Sequence, residues 1–463
     1  MDDVLKMYDN PNTSFIVIAN INLEGRTIVL PEGSAISFHD GKLVNGTFIG
    51  NKTKLGVANN SSIGIELRGS WNAPIISDTW FDVAFLDDNA IMSSINHLQS
   101  DDIYNTIVLN REYTVMIDSV TFNAFVLKSN TTLLIHSSIR ITPNCFGKYS
   151  IIDITSKSNV TIIGGQLIGD VGEHKYMSNS TSEWGMGLSI VASTNVTICN
   201  TEISLCTGDG IYLGGLKESD INRFDNACQN ILISNVTCDR NRRQGMSIIH
   251  AKDVIISNCI FSNTGNIEFT RPGHGVDIEP NVSNDRNMSV SDVFFNKCIF
   301  YNNKGSDIST AHYVVKEGES NIKNIIISES EFDDDLTIRS GSFIIDNSIL
   351  AKINIYLSVY NLGDVKVSNS TIVGGLYLHS SVKDNAHPNY VGILQHLQFF
   401  NCVFTNAIEN KGSSVLCVSG DISRVMDFNF EGCVFYNKGT GNRKFTNHDL
   451  TGFYNLNNCT IVQ

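Results

Sequence analysis

Basic residues are scarce in this chain: 33 Lys and Arg stand against 47 Asp and Glu, a formal net charge of −14. That balance leaves no basic footprint for nucleic acid or an anionic membrane surface. No apolar run reaches the ~18 residues that cross a bilayer, so membrane insertion is not expected. The start "MDDVLKMYDN" lacks the basic and apolar regions of a secretory leader, which implies a chain made without one or trimmed of it. Proline is rare at seven residues and charge is only 17%, while Asn, Ser, Thr, Ile and Val dominate, a balance that suits strands and polar turns. The eleven cysteines follow neither zinc-site spacing nor a compact disulfide framework. They read as small apolar core residues kept reduced, and no metal or cofactor is expected.

What the chain does have is a repeat. "DVIISNCIF" at 253–261 returns as "DVFFNKCIF" at 292, "NIIISESEF" at 324, "DVKVSNSTI" at 364 and "NVTICNTEI" at 195. Each phrase is a short alternating strand, a polar corner and a second short strand. Apolar residues alternate on both sides of the corner, so the chain bends while keeping one face inward, as one coil of a β-solenoid requires. The phrases recur at roughly twenty-odd residues plus insertions, which fits one coil each. Cys259, Cys298, Cys402, Cys433 and Cys459 fall at or next to the corner, with Ser330 and Ser370 in that slot elsewhere. An internal ladder of small side chains is expected there.

A second phrase supplies another column. Aligning "GMGLSI" (185–190), "GDGIYL" (208–213), "RQGMSI" (243–248), "GHGVDI" (273–278) and "NKGSDI" (303–308) puts Gly187, Gly210, Gly245, Gly275 and Gly305 in one row. A glycine row marks a tight bend or a close backbone approach. Ile190, Leu213, Ile248, Ile278 and Ile308 then point inward, and Ser189, Tyr212, Ser247, Asp277 and Asp307 point outward.

The fold class is therefore all-β, a single-stranded parallel β-solenoid. Residues 1–80 form a β-rich opening section with shorter, Gly-rich turns, and residues 81–463 form the main stack. Only "FDVAFLDDNAIMSSINHLQ" (81–99) is patterned as a helix; a short helix near 84–99, with Asp87 or Asp88 as its N-cap, is expected to cover the open end of the stack. The chain stops inside a strand phrase, "NNCTIVQ". Another chain, a further segment or an oligomer is expected over that coil.

The order of these phrases resembles the pectate-lyase-like right-handed parallel β-helix superfamily over roughly residues 80–463. That superfamily includes polygalacturonase-type hydrolases, polysaccharide lyases and phage tailspike depolymerases. The resemblance implies a polysaccharide substrate, an extracellular place of action as a secreted enzyme or on a phage tail, and, for the tailspike kind, a homotrimer. Against the polygalacturonase pattern, "GDG" at 208–210 matches one acid, Asp209, and "GHG" at 273–275 matches His274. Gly210 stands where the second acid belongs, and no "NTD" or "RIK" coil lies in register.

The candidate site gathers on the outward face of the second column. Asp277 and Glu279 project to one side with Cα atoms ~6.5–7 Å apart, and stacking at ~4.8 Å places Asp307 beside Asp277. Paired carboxylates resist joint ionisation, which equips one as acid and the other as base or nucleophile in glycoside hydrolysis. Asp277, Glu279, Asp209 and His274 are the expected catalytic residues. Arg242, Arg243, Tyr212, Trp184 and Asp307 are the expected substrate-binding residues, with the insertion at 214–228 walling one side. The bland counterparts are a solvated strand face, a turn histidine, paired surface arginines and packing aromatics. Two other functions use the same residues. A polysaccharide lyase would recruit Arg242, Arg243 or His274 as base, with Ca²⁺ held by Asp277, Glu279 and Asp307. A non-catalytic tail protein would only hold glycan there.

Overall fold

The computed structural model describes residues 11–216, 226–283, 286–311, 320–357, 362–380, 396–405, 416–419, 426–436 and 455–462. The first ten residues and most of the insertion at 214–228 lie outside that set. Within it, parallel strands stack into three long sheets of 14, 13 and 11 strands, here sheets 1, 2 and 3. One coil visits them in turn: Thr194–Cys199 in sheet 1, Glu202–Ser204 in sheet 2 and Asp209–Gly214 in sheet 3, which lies against Trp184–Val191 of the coil before. The repeated phrase is thus the sheet 1 strand, its corner and the sheet 2 strand.

The corner is a single residue in the left-handed region, held by Asn200, Asn235, Asn258, Asn347, Asn369 and Asn401 at φ 48–57°. Asparagine reaches that region at lower cost than other residues with a Cβ. The next residue turns inward and forms the expected ladder. Cys259, Cys298, Cys402 and Cys433 are buried, Cys459 is partly so, and none of the eleven cysteines is joined in a disulfide. Cys259 Sγ and Ser330 Oγ make the same contact, with the carbonyls of Ser257 at 3.3 Å and Ser328 at 2.8 Å. Thiol and hydroxyl interchange because the slot asks only for a small weak donor. Beside it, Phe261, Phe300 and Phe332 stack through the core with centroids 5.2 and 4.6 Å apart.

Residues 14–72 supply a separate five-stranded sheet, all parallel, and Ile75–Ser77 opens sheet 1. The helix spans Asp88–Leu98, and Asp87 is its N-cap, Oδ1 accepting from the Ala90 amide at 2.8 Å. It begins later than the pattern predicts. Asp82 accepts from the Ala84 amide through its side chain and from Phe85 and Leu86 through its carbonyl, folding those residues into a turn of their own. The helix does cover the open end. Tyr113–Val115 and Asn123–Val126 are the first strands of sheets 2 and 3. Asp88, Asn89 and Asn96 accept from the Thr114, Met116 and Val126 amides at 2.7, 2.7 and 3.2 Å, closing edge donors that would otherwise invite pairing.

Four of the five aligned glycines form the expected row. A Cβ on Gly210 or Gly245 would lie 2.6 or 2.4 Å from the carbonyl oxygen of Gly245 or Gly275 on the next coil, so the coils stack this closely only without side chains. The fifth does not belong. In the coil after Gly275, Ile308 pairs with Val276 and Ser309 with Asp277, a slide of two residues. Asp307 rather than Gly305 takes the row, with its carbonyl 2.6 Å from a Cβ built on Gly275. Asp307 therefore points inward and is fully buried, accepting from Asn303 Nδ2 at 2.8 Å and the Asp334 amide at 2.9 Å. It neither flanks Asp277 nor faces a substrate. Burial pushes its carboxyl up to about 7.

Two consequences can be measured. Phe300→Ala removes the middle ring of a stacked trio and should cost about 3–5 kcal/mol in chemical denaturation. Asp307 keeps its proton in the folded chain to a higher pH than in the unfolded chain, where the pKa is ~3.9. Its contribution is favourable below about 4 and is lost as pH rises to about 7, a difference of a few kcal/mol. Asp307→Asn, measured against the parent at each pH, should flatten that decline whatever constant offset the amide adds.

Candidate functional site

Sheet 3 carries one outward column whose members the register places side by side: Ser189, Tyr212, Ser247, Asp277, Ser309 and Thr337. Beyond them the column continues through Asn354 and Tyr377. Polar residues stand here because alternation sends their neighbours Ile211, Ile248 and Ile278 into the core. On three successive coils Asp209 and Gln244 open their sheet 3 strands and His274 lies two residues before the next one.

These residues form two adjoining hydrogen-bonded groups. Asp209 is fully buried, its oxygens 3.1 and 3.2 Å from Arg243 Nη1 and 2.7 Å from Ser247 Oγ. The other terminal nitrogen of Arg243 lies 3.8 Å from Glu279 Oε2. Gln244 Nε2 donates to Asp277 Oδ2 at 2.7 Å, while Gln244 Oε1 accepts from the His274 amide at 2.8 Å. The amide orientation of Gln244 is thereby determined. Trp184 borders the patch, with the Arg243 guanidinium 5.8 Å from its ring and Tyr212 edge-on at 6.5 Å. Arg339 closes the other side, donating to Ser309 Oγ and the Thr310 carbonyl.

Burial dominates the electrostatics. Asp277 is 5% exposed, and burial followed by the Glu279 charge raises its pKa well above the usual carboxylate range. Asp209 is also raised, by burial, although Arg243 and Ser247 pull against it. Burial works against the charge of Arg243 as well, but Asp209, Asp277 and Glu279 outweigh it and hold the guanidinium charged. Glu279 is the more accessible acid, its side chain 27% exposed. Burial, with Arg339 and Arg243 nearby, lowers His274 to about 4. Its Nδ1 accepts from the Ser306 amide at 2.8 Å, so the neutral ring carries its proton on Nε2.

Asp209, His274, Asp277, Glu279, Arg243, Trp184 and Tyr212 thus lie together on one side of the rod. Two expected residues do not join them. Asp307 faces inward, as described. Arg242 donates to the carbonyls of Glu268, Thr181, Ser182 and Thr207 at 2.6–3.3 Å and lies over the Tyr176 ring at 4.6 Å. Its charge straps two loops together and leaves little for a ligand. Sequence reasoning missed Gln244 and Arg339, as well as a ring cluster beyond them. Tyr356 stacks on His379 at 4.6 Å and lies under Arg339 at 5.0 Å, and Lys352 lies over Tyr377 at 4.7 Å. The outward parity of "TIRS" and "NIYL" after the two-residue slide was the signal for them. No group of three His, Cys, Asp or Glu among the described residues is arranged to hold a metal ion.

No family model matches the chain. Two curated proteins of Bacillus subtilis (strain 168) are similar to parts of it. The uncharacterized protein YclG is 36% identical over 146 residues, 30% of this chain and 24% of that protein. The SPbeta prophage-derived uncharacterized protein YorA is 28% identical over 199 residues, 40% of this chain and 33% of that protein. The matches therefore span about a quarter to a third of these relatives. Among solved structures, the A-module of Azotobacter vinelandii mannuronan C-5 epimerase AlgE6 superposes with a TM-score of 0.57 at 12% identity, covering 82% of this chain and 96% of the module. A mutant tailspike protein of E. coli bacteriophage HK620 gives 0.50 at 12% identity, covering 84% of this chain and 74% of the tailspike. At such identities the likeness speaks to fold alone, and on fold it agrees with the three parallel sheets: the chain is a right-handed parallel β-helix.

Proposed function

We propose that this chain cleaves glycosidic bonds of a polysaccharide by hydrolysis, with Asp277 as the acid and Glu279 as the base or nucleophile. The observation that carries the reading is the contrast between these carboxyls two residues apart: Asp277 is covered and raised, Glu279 is partly exposed beside Arg243. A protonated Asp277 can give its proton to the leaving oxygen, while Glu279 takes one from water or attacks the sugar carbon. Gln244 holds Asp277 through Oδ2, which leaves Oδ1 to carry the proton. Arg243 and Asp209 set the field between the two acids. Trp184 and Tyr212 offer ring surface to a sugar, and His274 enters as a neutral donor rather than as a base.

The comparisons support the substrate class. The epimerase is named for mannuronan, the tailspike is a phage protein, and one curated relative is prophage-derived. Action outside the cell, secreted or on a phage tail, and assembly as a homotrimer belong to the same reading. No helix among the described residues is long and apolar enough to cross a membrane.

Asp277→Asn and Glu279→Gln should each lower the release of reducing ends from a cleaved polysaccharide by at least about 100-fold, with glycan retention and thermal midpoint kept. Full activity in both variants ends the proposal. Ultraviolet absorbance from an unsaturated product would instead assign a lyase, and retention without cleavage a binding protein. In the parent, turnover should fall as pH rises through the folded-state pKa of Asp277, because the ionised acid has no proton to give. The same limb would be absent from whatever activity Asp277→Asn retains.

A further inference from the structure

The outer faces of sheets 1 and 2 carry a feature that the acid patch does not use. On sheet 1, the register sets Leu232, Ile255, Phe294, Ile326 and Ile344 in one outward column over five successive coils. Leu232, Ile255 and Ile344 are 38%, 47% and 46% exposed. On sheet 2, Ile260, Ile299 and Ile349 share a column broken only by Glu331, with Tyr301 beside Ile299. Ile299, Ile349 and Tyr301 are 41–47% exposed. The stretch is bounded. The sheet 1 column holds Thr132, Thr161 and Thr197 on the coils before it, and Lys366, Gln398 and Asn429 on those after. Threonine satisfies strand preference as well as isoleucine does, so strand formation does not explain the apolar run.

Its shape selects the occupant. The run is about 20–25 Å long, straight, and repeats every ~4.8 Å; a surface with the same pitch and no curvature is another rod of this kind. Its area, on the order of several hundred Å², exceeds scattered surface apolarity and approaches the ~800 Å² per partner of a stable interface. Copies that each carry −14 repel except where uncharged faces meet. The two apolar faces also differ, and they meet at a ridge of exposed Asn235, Asn258, Lys297, Glu329 and Asn347. Two unlike faces on one chain make head-to-tail contacts, which close into a ring when the angle between the faces matches the rotation from copy to copy.

We infer that the sheet 1 face of one copy packs against the sheet 2 face of the next, in a ring of three with the corner ridge at its axis and sheet 3 turned outward. The inference rests on the homotrimer reading and on no catalytic assignment. It is tested by light scattering and sedimentation of the full chain from about 1 to 100 μM. A three-chain particle is expected, tightened by added salt because like charges are screened. Ile255→Glu and Ile299→Glu should each weaken association at least tenfold without changing the circular dichroism spectrum. The gentler pair Ile255→Thr with Ile299→Thr, which copies the residues of neighbouring coils, should weaken it too. Thr161→Glu, in the same column but outside the apolar run, should leave it intact. A monomer throughout ends the homotrimer reading together with this surface. A trimer that survives the Ile255 and Ile299 substitutions, or that Thr161→Glu dissolves equally, ends the surface alone. A two-chain particle ends the ring.

Discussion

Everything else in this molecule depends on the superposition of its coils. Each strand hydrogen-bonds to the strand one coil away, so a residue's neighbour is set by register and not by distance along the chain. The glycine row shows how tight the constraint is, since any Cβ at Gly210 or Gly245 would meet a carbonyl of the next coil. With that spacing imposed, Asp209, Arg243, Asp277, Glu279 and Arg339 become one patch although they belong to four different coils.

Within the patch, burial rather than pairing decides the protonation states. Asp209 has a good partner in Arg243 and still sits above the usual range, because no water reaches it. Removing either member would strand the other charge, at a cost of about 3–5 kcal/mol. The pair is therefore held by the need of each for the other more than by net attraction. Among the described residues Asp277 has no cation in hydrogen-bond contact; its partner is the Gln244 amide, a neutral donor that favours the ionised carboxyl less than a guanidinium would. Burial and the Glu279 charge then determine the outcome.

The fold was legible because its cause is periodic. Alternation on both sides of an Asn or Cys corner recurs with little variation, so strands, corners and the internal ladder follow from the phrase alone. The site was legible where it repeats that rhythm, as Tyr212, Ser247 and Asp277 do. It failed where the rhythm breaks. Matching Gly305 to Gly275 placed Asp307 outside; the true alignment follows the inward Val276 and Ile308, and no single coil reveals that preference. Arg242 and Arg243 are adjacent and chemically alike, yet one faces loop carbonyls and the other the acids, a difference set by loops that carry no period. The late start of the helix has the same origin, in the turn that Asp82 draws from Ala84 to Leu86.

The division of labour among the three sheets follows from their connections. Sheets 1 and 2 are joined by one left-handed residue and one small inward residue on coil after coil. From Thr194–Cys199 onward that corner holds two residues on each described coil, so the faces beside it can present an unbroken column. The connections into and out of sheet 3 vary from coil to coil, from a few residues before Asp209 to the longer run that ends at His274. Variable length lets side chains enter from the ends of strands as well as from their outward positions. Asp209 and Gln244 stand at the entry ends of their strands, His274 lies in the connection before Val276–Ile278, and Glu279 follows that strand directly. A rod of this construction has one face on which polar groups converge from several directions and two on which they cannot, so the titratable cluster gathers on sheet 3 and the apolar columns run along sheets 1 and 2.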